Sequence, residues 1–398
     1  MGSVIEFSCP QCSQRFSAET VQTYCHSCQS PILARYDLEQ IAQSVKPEVI
    51  RRRKRGIWRW EEFLPVSDRQ WQVSLGEGDT PLLPLPNLGE KLGLGHLYLK
   101  DEAQNPTACF KARGMAVSLS RHLELGLRHF SLATAGNAGG ALAVYAARAS
   151  AQLRPKGEAC FAHIYMPRTA PLANRLEVQV SGADLHLVDG LISDAAQQAN
   201  QDARQFEGTP QSWFDLSTFK EPYRVEGKKT MGLELAEQFD YRLPDVILYP
   251  TGGGTGLVGM WKAFDELQQI GWIEAKRPRM FSVQASGCAP LVQAFESGAE
   301  RAQAWQNAST LATGLCVPKP FADRLILTII RQSGGAALAV EDEEIQLAQQ
   351  ELAQFEGIFA APEGAATLVA LKKMVASQMV SPDEKVVLFN TASGVKYI

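Results

Sequence analysis

The sequence lacks any apolar run that approaches the length of a membrane-spanning helix. Residues 1–6 also lack the basic region, apolar core and cleavage site of a secretory signal, and Glu6 stands where the myristoylation pattern requires serine or threonine. The net charge of −4 provides no overall attraction to nucleic acid or to an anionic membrane. We therefore expect a cytoplasmic protein with no membrane partner and no nucleic-acid partner.

Internal repeats and low-complexity segments are absent as well, and 398 residues are enough for two or three domains. The eight cysteines fall into a group of four near the N-terminus and four that are scattered. The scattered cysteines are Cys109, Cys160, Cys288 and Cys316. Scattered cysteines without an export signal indicate reduced thiols, which agrees with a cytoplasmic location.

The N-terminal cysteines form two CxxC motifs, which predict a structural zinc site. The four residues are Cys9, Cys12, Cys25 and Cys28. Each motif places two thiolates on a tight turn, and four thiolates can surround one Zn²⁺ and leave no open position for substrate. The metal would supply the folding energy that so small a ribbon lacks. A pair of motifs without metal and a redox pair are the alternatives.

Residues 36–73 show a mixed helical pattern that contains a basic run at 51–55, followed by Trp58 and Trp60. A zinc ribbon with a basic, aromatic run is a combination that can bind nucleic acid. The alternative is a solvated connecting arm whose tryptophans pack on the next domain. We favour the arm because the chain is acidic overall and no groove-reading motif accompanies the run.

Beyond Leu75, apolar strands alternate with amphipathic helices, which predicts an α/β fold with a parallel sheet covered on both faces. The predicted strands are 97–99, 129–133, 161–166, 185–188, 245–249, 280–284 and 385–389. The predicted helices are 115–125, 139–148, 171–181, 193–206 and 257–267. Ligands of such folds bind in the loops that follow the carboxyl ends of the strands.

A glycine-rich loop follows the strand 245–249 and precedes the helix 257–267. It contains Gly252, Gly253, Gly254, Thr255 and Gly256. Glycines allow the backbone to approach a ligand, and a helix N-terminus offers free N–H groups with a favourable dipole. The loop matches neither a Walker loop nor a dinucleotide fingerprint. We interpret it as a phosphate-binding loop, with a flexible turn as the alternative.

Lys111 lies at a junction between a turn and a helix, after Asn105-Pro106 and before Gly114. A desolvated lysine loses its proton more easily, and a neutral amine can form an imine with a carbonyl. The loop 134–140 could hold a carboxylate through its amides and a phenolate oxygen through Asn137, while residues 390–394 offer hydroxyls to a heteroaromatic nitrogen. Together these features suit pyridoxal phosphate, which has an aldehyde, a phosphate and a ring nitrogen.

These residues resemble the threonine synthases, a family in the tryptophan-synthase-β-like class (fold-type II) of pyridoxal-phosphate enzymes. The resemblance runs nearly end to end and is most specific in the Glu-Gly-Lys-Lys-Thr stretch. The matching segments are 105–107, 110–114, 134–140, 222–230, the glycine loop, 361–366 and 391–397. A cysteine-bearing N-terminal extension also occurs in this family.

The resemblance implies a role for each matching site residue. Lys111 would hold pyridoxal phosphate as an imine and act as the catalytic base. Asn137 would bind the 3′-oxygen of the ring, and Thr391 would face the pyridine nitrogen. Arg224 and Thr134 would bind substrate, Arg224 through the phosphate, with Lys228 and Lys229 as helpers. The cofactor phosphate would lie on Gly252, Gly253, Gly254, Thr255 and Gly256.

The resemblance also implies two open twisted sheets in two domains, and a reaction that converts O-phospho-L-homoserine and water to L-threonine and phosphate. We expect a zinc-ribbon-like segment at 1–40, a helical arm at 41–75 and a catalytic domain at 76–398. The catalytic domain would contain a smaller subdomain at about 113–216. Since this class is commonly dimeric, we expect a homodimer.

Two departures from the family concern substrate preference and rate. The family usually has Gly-Ser where this chain has Ala108-Cys109, so a permissive backbone position and a hydroxyl are lost. Ala392 stands where the family usually has glycine beside the ring nitrogen.

The nearest alternatives to this function are the activities of other pyridoxal-phosphate enzymes, such as a threonine or serine dehydratase or a cysteate-synthase-like enzyme. A zinc-ribbon nucleic-acid-binding module on an idle scaffold is a further alternative.

Overall fold

The computed structural model describes residues 4–398, whose strands form three separate sheets. The strands are β1 (Val4–Ser8), β2 (Arg15–Ser17), β3 (Leu33–Tyr36), β4 (Leu82–Pro84), β5 (His96–Asp101), β6 (His129–Ala133), β7 (Phe161–Pro167), β8 (Asp184–Val188), β9 (Phe214–Asp215), β10 (Val246–Pro250), β11 (Arg279–Ala285), β12 (Ala337–Val340) and β13 (Lys385–Asn390). β1 to β3 form a small antiparallel sheet in the order β2-β1-β3.

The helices mostly follow strands, as the alternating pattern predicts. They are α1 (Leu38–Ser44), α2 (Pro47–Arg51), α3 (Pro86–Leu92), α4 (Lys111–Glu124), α5 (Asn137–Leu153), α6 (Leu172–Val180), α7 (Ile192–Ala203), α8 (Tyr223–Gln238), α9 (Thr255–Gln269), α10 (Pro290–Glu296), α11 (Asp323–Gln332), α12 (Asp342–Glu356) and α13 (Pro362–Ala376). In the described part of the chain, none is both long and apolar enough to span a bilayer.

The two larger sheets carry the α/β fold that the sequence predicts. The first has the order β12-β11-β10-β13-β5-β4 and is parallel except for the edge strand β4. The second has the order β8-β7-β6-β9 and is parallel throughout. β10 is buried at all five positions, as expected for a central parallel strand with helices on both faces.

The residue-based prediction of a single parallel sheet that carries every ligand loop was wrong. Lys111, the glycine loop and Thr391 follow strands of the six-stranded sheet, whereas the loop 134–140 follows β6 of the four-stranded sheet. Period and strand length are the same in both sheets, so pattern alone does not assign a strand to one of them. The two-domain arrangement implied by the resemblance is the correct one.

The prediction of a helical pattern over residues 36–73 is correct only in part. The segment contains the short helices α1 and α2, followed by 3₁₀ turns at Ile57–Phe63 and Arg69–Trp71. Trp60 is fully buried, and the neighbouring Phe63 contacts Trp272 edge to face at 5.7 Å, as expected for an arm that packs on the catalytic domain. In the basic run, Arg51 pairs with Asp240 and Arg53 pairs with Glu62, so both charges are used within the chain.

The helix α8 packs against both α4 and α9. Their close approach depends on glycine, because a Cβ at Gly259 of α9 would lie 2.8 Å from the backbone nitrogen of Lys229 on α8. α4 begins at Lys111, four residues before the predicted start, so Lys111 occupies the first helical position. Because α4 carries Lys111 and α8 carries Arg224 and Lys228, the contact between these two helices places the three side chains on adjacent surfaces.

Candidate active site

A cavity of about 760 Å³ lies where the loops that follow β6, β10 and β13 converge with the start of α4. Nine of the predicted site residues lie in its wall: Lys111, Thr134, Asn137, Arg224, Gly252, Gly253, Gly254, Thr255 and Thr391. Gly256 does not; it packs beneath the Tyr249 hydroxyl, where a Cβ would collide with the ring. The cavity has the size and the position at strand ends that small-ligand sites usually have.

Backbone pairing with the C-terminal segment holds Lys111 in place. Phe110 N donates to the Thr391 carbonyl over 2.9 Å, and Ser393 N donates to the Ala108 carbonyl over 3.0 Å. Cys109 and Ala392 form the bridge between these two hydrogen bonds. The segment that precedes Lys111 and the segment that follows β13 are thereby positioned together at one side of the cavity.

Ala108 occupies a position that favours glycine. Its φ is +49°, and the φ of the preceding Thr107 is +65°. A Cβ is strained in this left-handed region. The neighbouring Cys109 is fully buried, with Sγ 3.5 Å from Thr107 Oγ1 and 4.0 Å from the backbone oxygen of Asn137. The first departure from the family pattern therefore leaves a strained turn directly before Lys111.

The environment of Lys111 favours its neutral amine. The pKa of Lys111 is lowered from 10.5 to about 8, chiefly by burial and also by the positive charge of Arg224, while Cys109 and Glu363 act in the opposite direction. Nζ lies 3.9 Å from the centroid of the Phe110 ring. A lysine with this pKa is partly neutral near physiological pH and can attack an aldehyde.

Lys228 is a second buried lysine at this site, which the sequence suggested only as a helper. Its Nζ donates to the backbone oxygen of Phe110 and lies 4.1 Å from the centroid of the same ring that Lys111 contacts. Burial and the nearby Lys111 charge hold the pKa of Lys228 well below its usual value. The adjacent Lys229 points elsewhere and pairs with Glu226 (2.7 Å) and Glu266 (2.8 Å), so its role is structural.

The glycine loop forms an anion cradle at the N-terminus of α9. Gly254 is the N-cap residue with φ +77°, which a residue with a side chain rarely adopts. A Cβ at Gly253 would lie 2.6 Å from Thr218 Cγ2, and one at Gly252 would collide with the Gly314 carbonyl. The first amides of a helix have no intrahelical acceptor, so this loop presents N–H donors and a positive dipole to the cavity.

Arg224 forms a second, separate cationic region of the wall. Its side chain is 2% exposed, and Nη1 donates to the Leu216 carbonyl over 2.5 Å. Among residues 4–398, no carboxylate oxygen lies within 4.0 Å of its guanidinium nitrogens. The carboxylate of Glu221 caps the backbone instead, accepting from Arg224 N over 3.0 Å, and burial raises the pKa of Glu221 to about 7.

The part of the cavity between these regions is lined by amide, hydroxyl and carboxyl groups. Asn137 Nδ2 donates to the Tyr397 hydroxyl over 3.2 Å, while its buried Oδ1 has no partner among the described residues. Glu363 is 3% exposed, accepts from Gly314 N over 2.6 Å, and has a pKa raised by burial. Glu363 and Tyr397 lie in segments that match the family, 361–366 and 391–397, but neither residue was predicted to belong to the site.

The four N-terminal cysteines come together as predicted. Cys9 and Cys28 have their sulfurs 3.3 Å apart, Cys12 and Cys25 3.5 Å, and Cys12 and Cys28 3.7 Å. All four sulfurs lie within 4.8 Å of one another. Thiolates around a tetrahedral Zn²⁺ at about 2.3 Å are about 3.8 Å apart, so the donor set and its spacing fit zinc.

The small antiparallel sheet β1–β3, which adjoins the four cysteines, packs on α8, the helix that carries Arg224. Phe7 contacts Tyr223 edge to face at 5.5 Å, and the Tyr36 hydroxyl donates to Glu226 over 2.8 Å. Glu226 is fully buried and also pairs with Lys229 and Lys262. The N-terminal extension is therefore part of the packing that positions the cavity wall.

Comparison with known proteins agrees with this geometry. Residues 73–392 match the family described as pyridoxal-phosphate dependent enzyme. This chain belongs to that family. It also belongs to the threonine synthase family, being 34% identical over 388 residues to the threonine synthase of Methanocaldococcus jannaschii (98% of this chain, 92% of the relative). It is 33% identical over 391 residues to that of Methanosarcina acetivorans (98% and 91%).

Among solved structures, the processed form of threonine deaminase isoform 2 from Solanum lycopersicum superposes with a TM-score of 0.66 at 20% identity, covering 82% of this chain and 81% of that one. At this identity the likeness concerns the fold alone. Pyridoxal-phosphate dependent enzymes need a lysine, an anion cradle and groups for the ring, and the cavity supplies all three. The protein is a pyridoxal-phosphate-dependent lyase.

Proposed function

We propose that the protein converts O-phospho-L-homoserine and water to L-threonine and phosphate. The observation that carries this proposal is that the cavity contains two anion-binding regions beside Lys111. Pyridoxal phosphate has one phosphate, which the helix N-terminus at Gly252–Thr255 suits. Arg224 therefore serves a second anion, and a substrate with its own phosphate provides one.

The residues of the cavity have distinct tasks in this reaction. The cofactor, when bound, accepts the electron pair released when the substrate loses its α-proton. Lys111 holds the cofactor and moves a proton at the substrate Cα. A second proton then leaves Cβ, and the electron pair left on Cβ expels the phosphate, held by Arg224, as the bond between Cγ and its oxygen breaks. Water then adds its oxygen at Cβ, and Cγ becomes the methyl group of threonine. Protons returned to Cγ and Cα complete the product.

The smaller groups orient the ligands. Asn137 offers its amide Nδ2, which donates one hydrogen to the Tyr397 hydroxyl and has a second to donate to the phenolate oxygen of the ring. Thr391, 5% exposed, offers a neutral hydroxyl to the ring nitrogen. A neutral partner at that nitrogen makes the ring a weaker electron sink than a carboxylate would. Thr134 accepts from Gly136 N over 3.1 Å and fixes the loop assigned to the substrate carboxylate.

The decisive assay incubates the purified protein with pyridoxal phosphate and O-phospho-L-homoserine and measures threonine and phosphate. We expect the two products in equal amounts. Arg224→Gln should lower kcat/KM by about 30-fold or more, because truncating one partner of a buried charge pair removes about 2 kcal/mol or more. Arg242→Gln, at an exposed arginine shortly after α8, is the matched control and should leave the rate unchanged.

Assays of the same purified protein with unphosphorylated substrates distinguish the proposed reaction from those of other pyridoxal-phosphate enzymes. A threonine or serine dehydratase would release a 2-keto acid from an unphosphorylated hydroxyamino acid and would not need Arg224. If keto acid forms from threonine or serine at a rate that Arg224→Gln leaves unchanged, and phosphohomoserine is inert, the proposed reaction is refuted. Phosphate release without threonine would refute it as well.

We further infer a structural Zn²⁺ on Cys9, Cys12, Cys25 and Cys28. The close approach of four thiols supports this inference, as does a small sheet that has little core of its own. Replacing Cys12 with serine should lower the zinc content measured by mass spectrometry. It should also expose β1–β3 to proteolysis, whereas replacing Cys160, a buried cysteine elsewhere, should do neither.

We also expect a homodimer, and light scattering would measure the oligomeric state of the purified protein.

A further inference from the structure

A cluster of two histidines and one aspartate lies on the four-stranded sheet, outside the site described above. His163 belongs to β7, and Asp184 and His186 belong to β8. The strands are parallel, with Asp184 opposite His163 and His186 opposite Tyr165. Since alternate residues of a strand share a face, the three side chains project from the same side of the sheet.

The three side chains present their ligand atoms to one another. Asp184 Oδ2 lies 3.1 Å from His163 Nδ1 and 2.7 Å from His186 Nε2. One ligand atom from each residue lies within 4.8 Å of the other two. Nitrogen and oxygen ligands about 2.0–2.1 Å from a tetrahedral zinc ion are about 3.3 Å apart. The two Asp184 distances are about 0.2 and 0.6 Å shorter than that spacing, and the carboxylate is about half exposed.

Neighbouring rings hold both imidazoles in orientation. His163 stacks on Trp213 with ring centroids 3.7 Å apart, and His186 stacks on Tyr165 at 4.3 Å. The other nitrogen of His163, Nε2, lies 3.4 Å from His129 Nδ1. Ligand rings in metal sites are usually oriented in this way through their second nitrogen. The cluster is thus pre-organised on rigid strands, not on a loop.

The cluster is separate from the catalytic cavity. His163 lies four residues before Pro167, which lines the cavity at the carboxyl end of β7. At about 3.3 Å per residue, this separation corresponds to about 13 Å along the strand. A ligand at the cluster therefore does not depend on the reaction proposed above.

We propose that His163, Asp184 and His186 bind one divalent transition-metal ion of the Zn²⁺ class. Two imidazoles and one carboxylate match the ligand preference of zinc and leave the fourth coordination position to water. A hard cation such as Mg²⁺ prefers oxygen ligands and would not select this set. Bound metal would cross-link the edge strand β8 to β7.

The test counts zinc ions per chain by isothermal titration of the full-length, cofactor-loaded protein with zinc chloride. The wild type should bind one more Zn²⁺ per chain than Asp184→Asn or His186→Gln, with the N-terminal cysteines intact in all three. His96→Gln, at an exposed histidine of β5, should bind as many ions as the wild type. Circular dichroism verifies the folding of each variant.

Copper provides a second readout. The electron paramagnetic resonance spectrum of Cu²⁺ at the site should show coupling to two imidazole nitrogens, and to one in His186→Gln. Equal zinc counts in the wild type, Asp184→Asn and His186→Gln would overturn the proposal and leave Asp184 as an acceptor of two ordinary hydrogen bonds. A matching loss of zinc in His96→Gln would also overturn it.

Discussion

Two clusters of buried cations adjoin α4 and α8, one of them with Lys100 from β5, and they differ in whether carboxylates accompany them. The paired cluster contains Lys100, Glu102, Arg113 and Glu234, with Arg113 within 2.6–2.9 Å of both carboxylates and of Thr230. The unpaired cluster contains Lys111, Arg224 and Lys228. For these three, no carboxylate oxygen lies within 4.0 Å among residues 4–398.

The presence or absence of a carboxylate partner distinguishes the buried charges that stabilise the fold from those available to bind a ligand. A buried charge without a partner is strongly unfavourable and persists only where something else offsets it. In the paired cluster the carboxylates offset it, and the positive charges of Arg113 and Lys100 hold the pKa values of Glu102 and Glu234 low. In the unpaired cluster, Lys111 and Lys228 reduce this cost through their lowered pKa values, and we propose that an anionic ligand compensates the charge of Arg224. Position in the sequence does not separate the two, since Arg113 follows Lys111 by two residues.

The largest expected effect tests the unpaired cluster at Lys111. Lys111→Ala should lower the turnover of O-phospho-L-homoserine by on the order of 10³-fold or more, since it removes both the attachment point and the base. The absorbance of bound cofactor should disappear as well. Lys276→Ala, at an exposed lysine, is the control. A variant at Lys111 that keeps a tenth of the activity would contradict the assignment.

The next largest effect is the difference in the free energy of unfolding between variants of Arg113 and of Arg224. Arg113→Gln should lower the free energy of unfolding by about 3–5 kcal/mol, because it leaves Glu102 and Glu234 buried without their main partner. Arg224→Gln, measured without ligands, should change it by less than about 1 kcal/mol or raise it, because it removes an unpaired buried charge. Thermal unfolding of both variants decides this, and equal destabilisation would erase the distinction between the clusters.

The pH dependence of cofactor uptake gives an intermediate effect. With the pKa of Lys111 at about 8, only about a tenth of the amine is neutral at pH 7. The rate of pyridoxal phosphate uptake by apo-protein should therefore rise about tenfold per pH unit below 8 and level off above it. Arg224→Gln should move this midpoint upward, and Glu363→Gln should move it downward, because the two charges act on Lys111 with opposite sign. Stopped-flow absorbance measures the midpoint, and shifts in the same direction would show that these charges do not control Lys111.

The smallest effect concerns the turn before Lys111. Ala108→Gly should stabilise the protein by about 1 kcal/mol, since glycine adopts φ +49° without strain. Ala103→Gly, in a 3₁₀ turn of ordinary geometry, should instead destabilise it slightly. Differential scanning calorimetry resolves changes of this size. A loss of stability in Ala108→Gly would show that the alanine is well accommodated.

Much of the site could be predicted from single segments. Lys111, the loop 252–255 and the two CxxC motifs each combine a residue type with a local turn or helix start, and local patterns of that kind are visible in a sequence. Arg224 came only from the resemblance. Lys228 came from the same resemblance and only as a helper, and Glu363 was given no role, because their place in or beside the cavity depends on elements more than a hundred residues from Lys111.

The sequence by itself determined the alternation of strands and helices, the ligand loops at strand ends and the pairing of two CxxC motifs, because each depends on spacing within one segment. Only the tertiary structure decided that the ligand loops come from two sheets and that Arg113 is paired while Arg224 is not. It alone brought Lys228 beside Lys111 and His163 beside Asp184. Burial and charge pairing arise between distant segments, and these properties decide which of several similar side chains can act on a ligand.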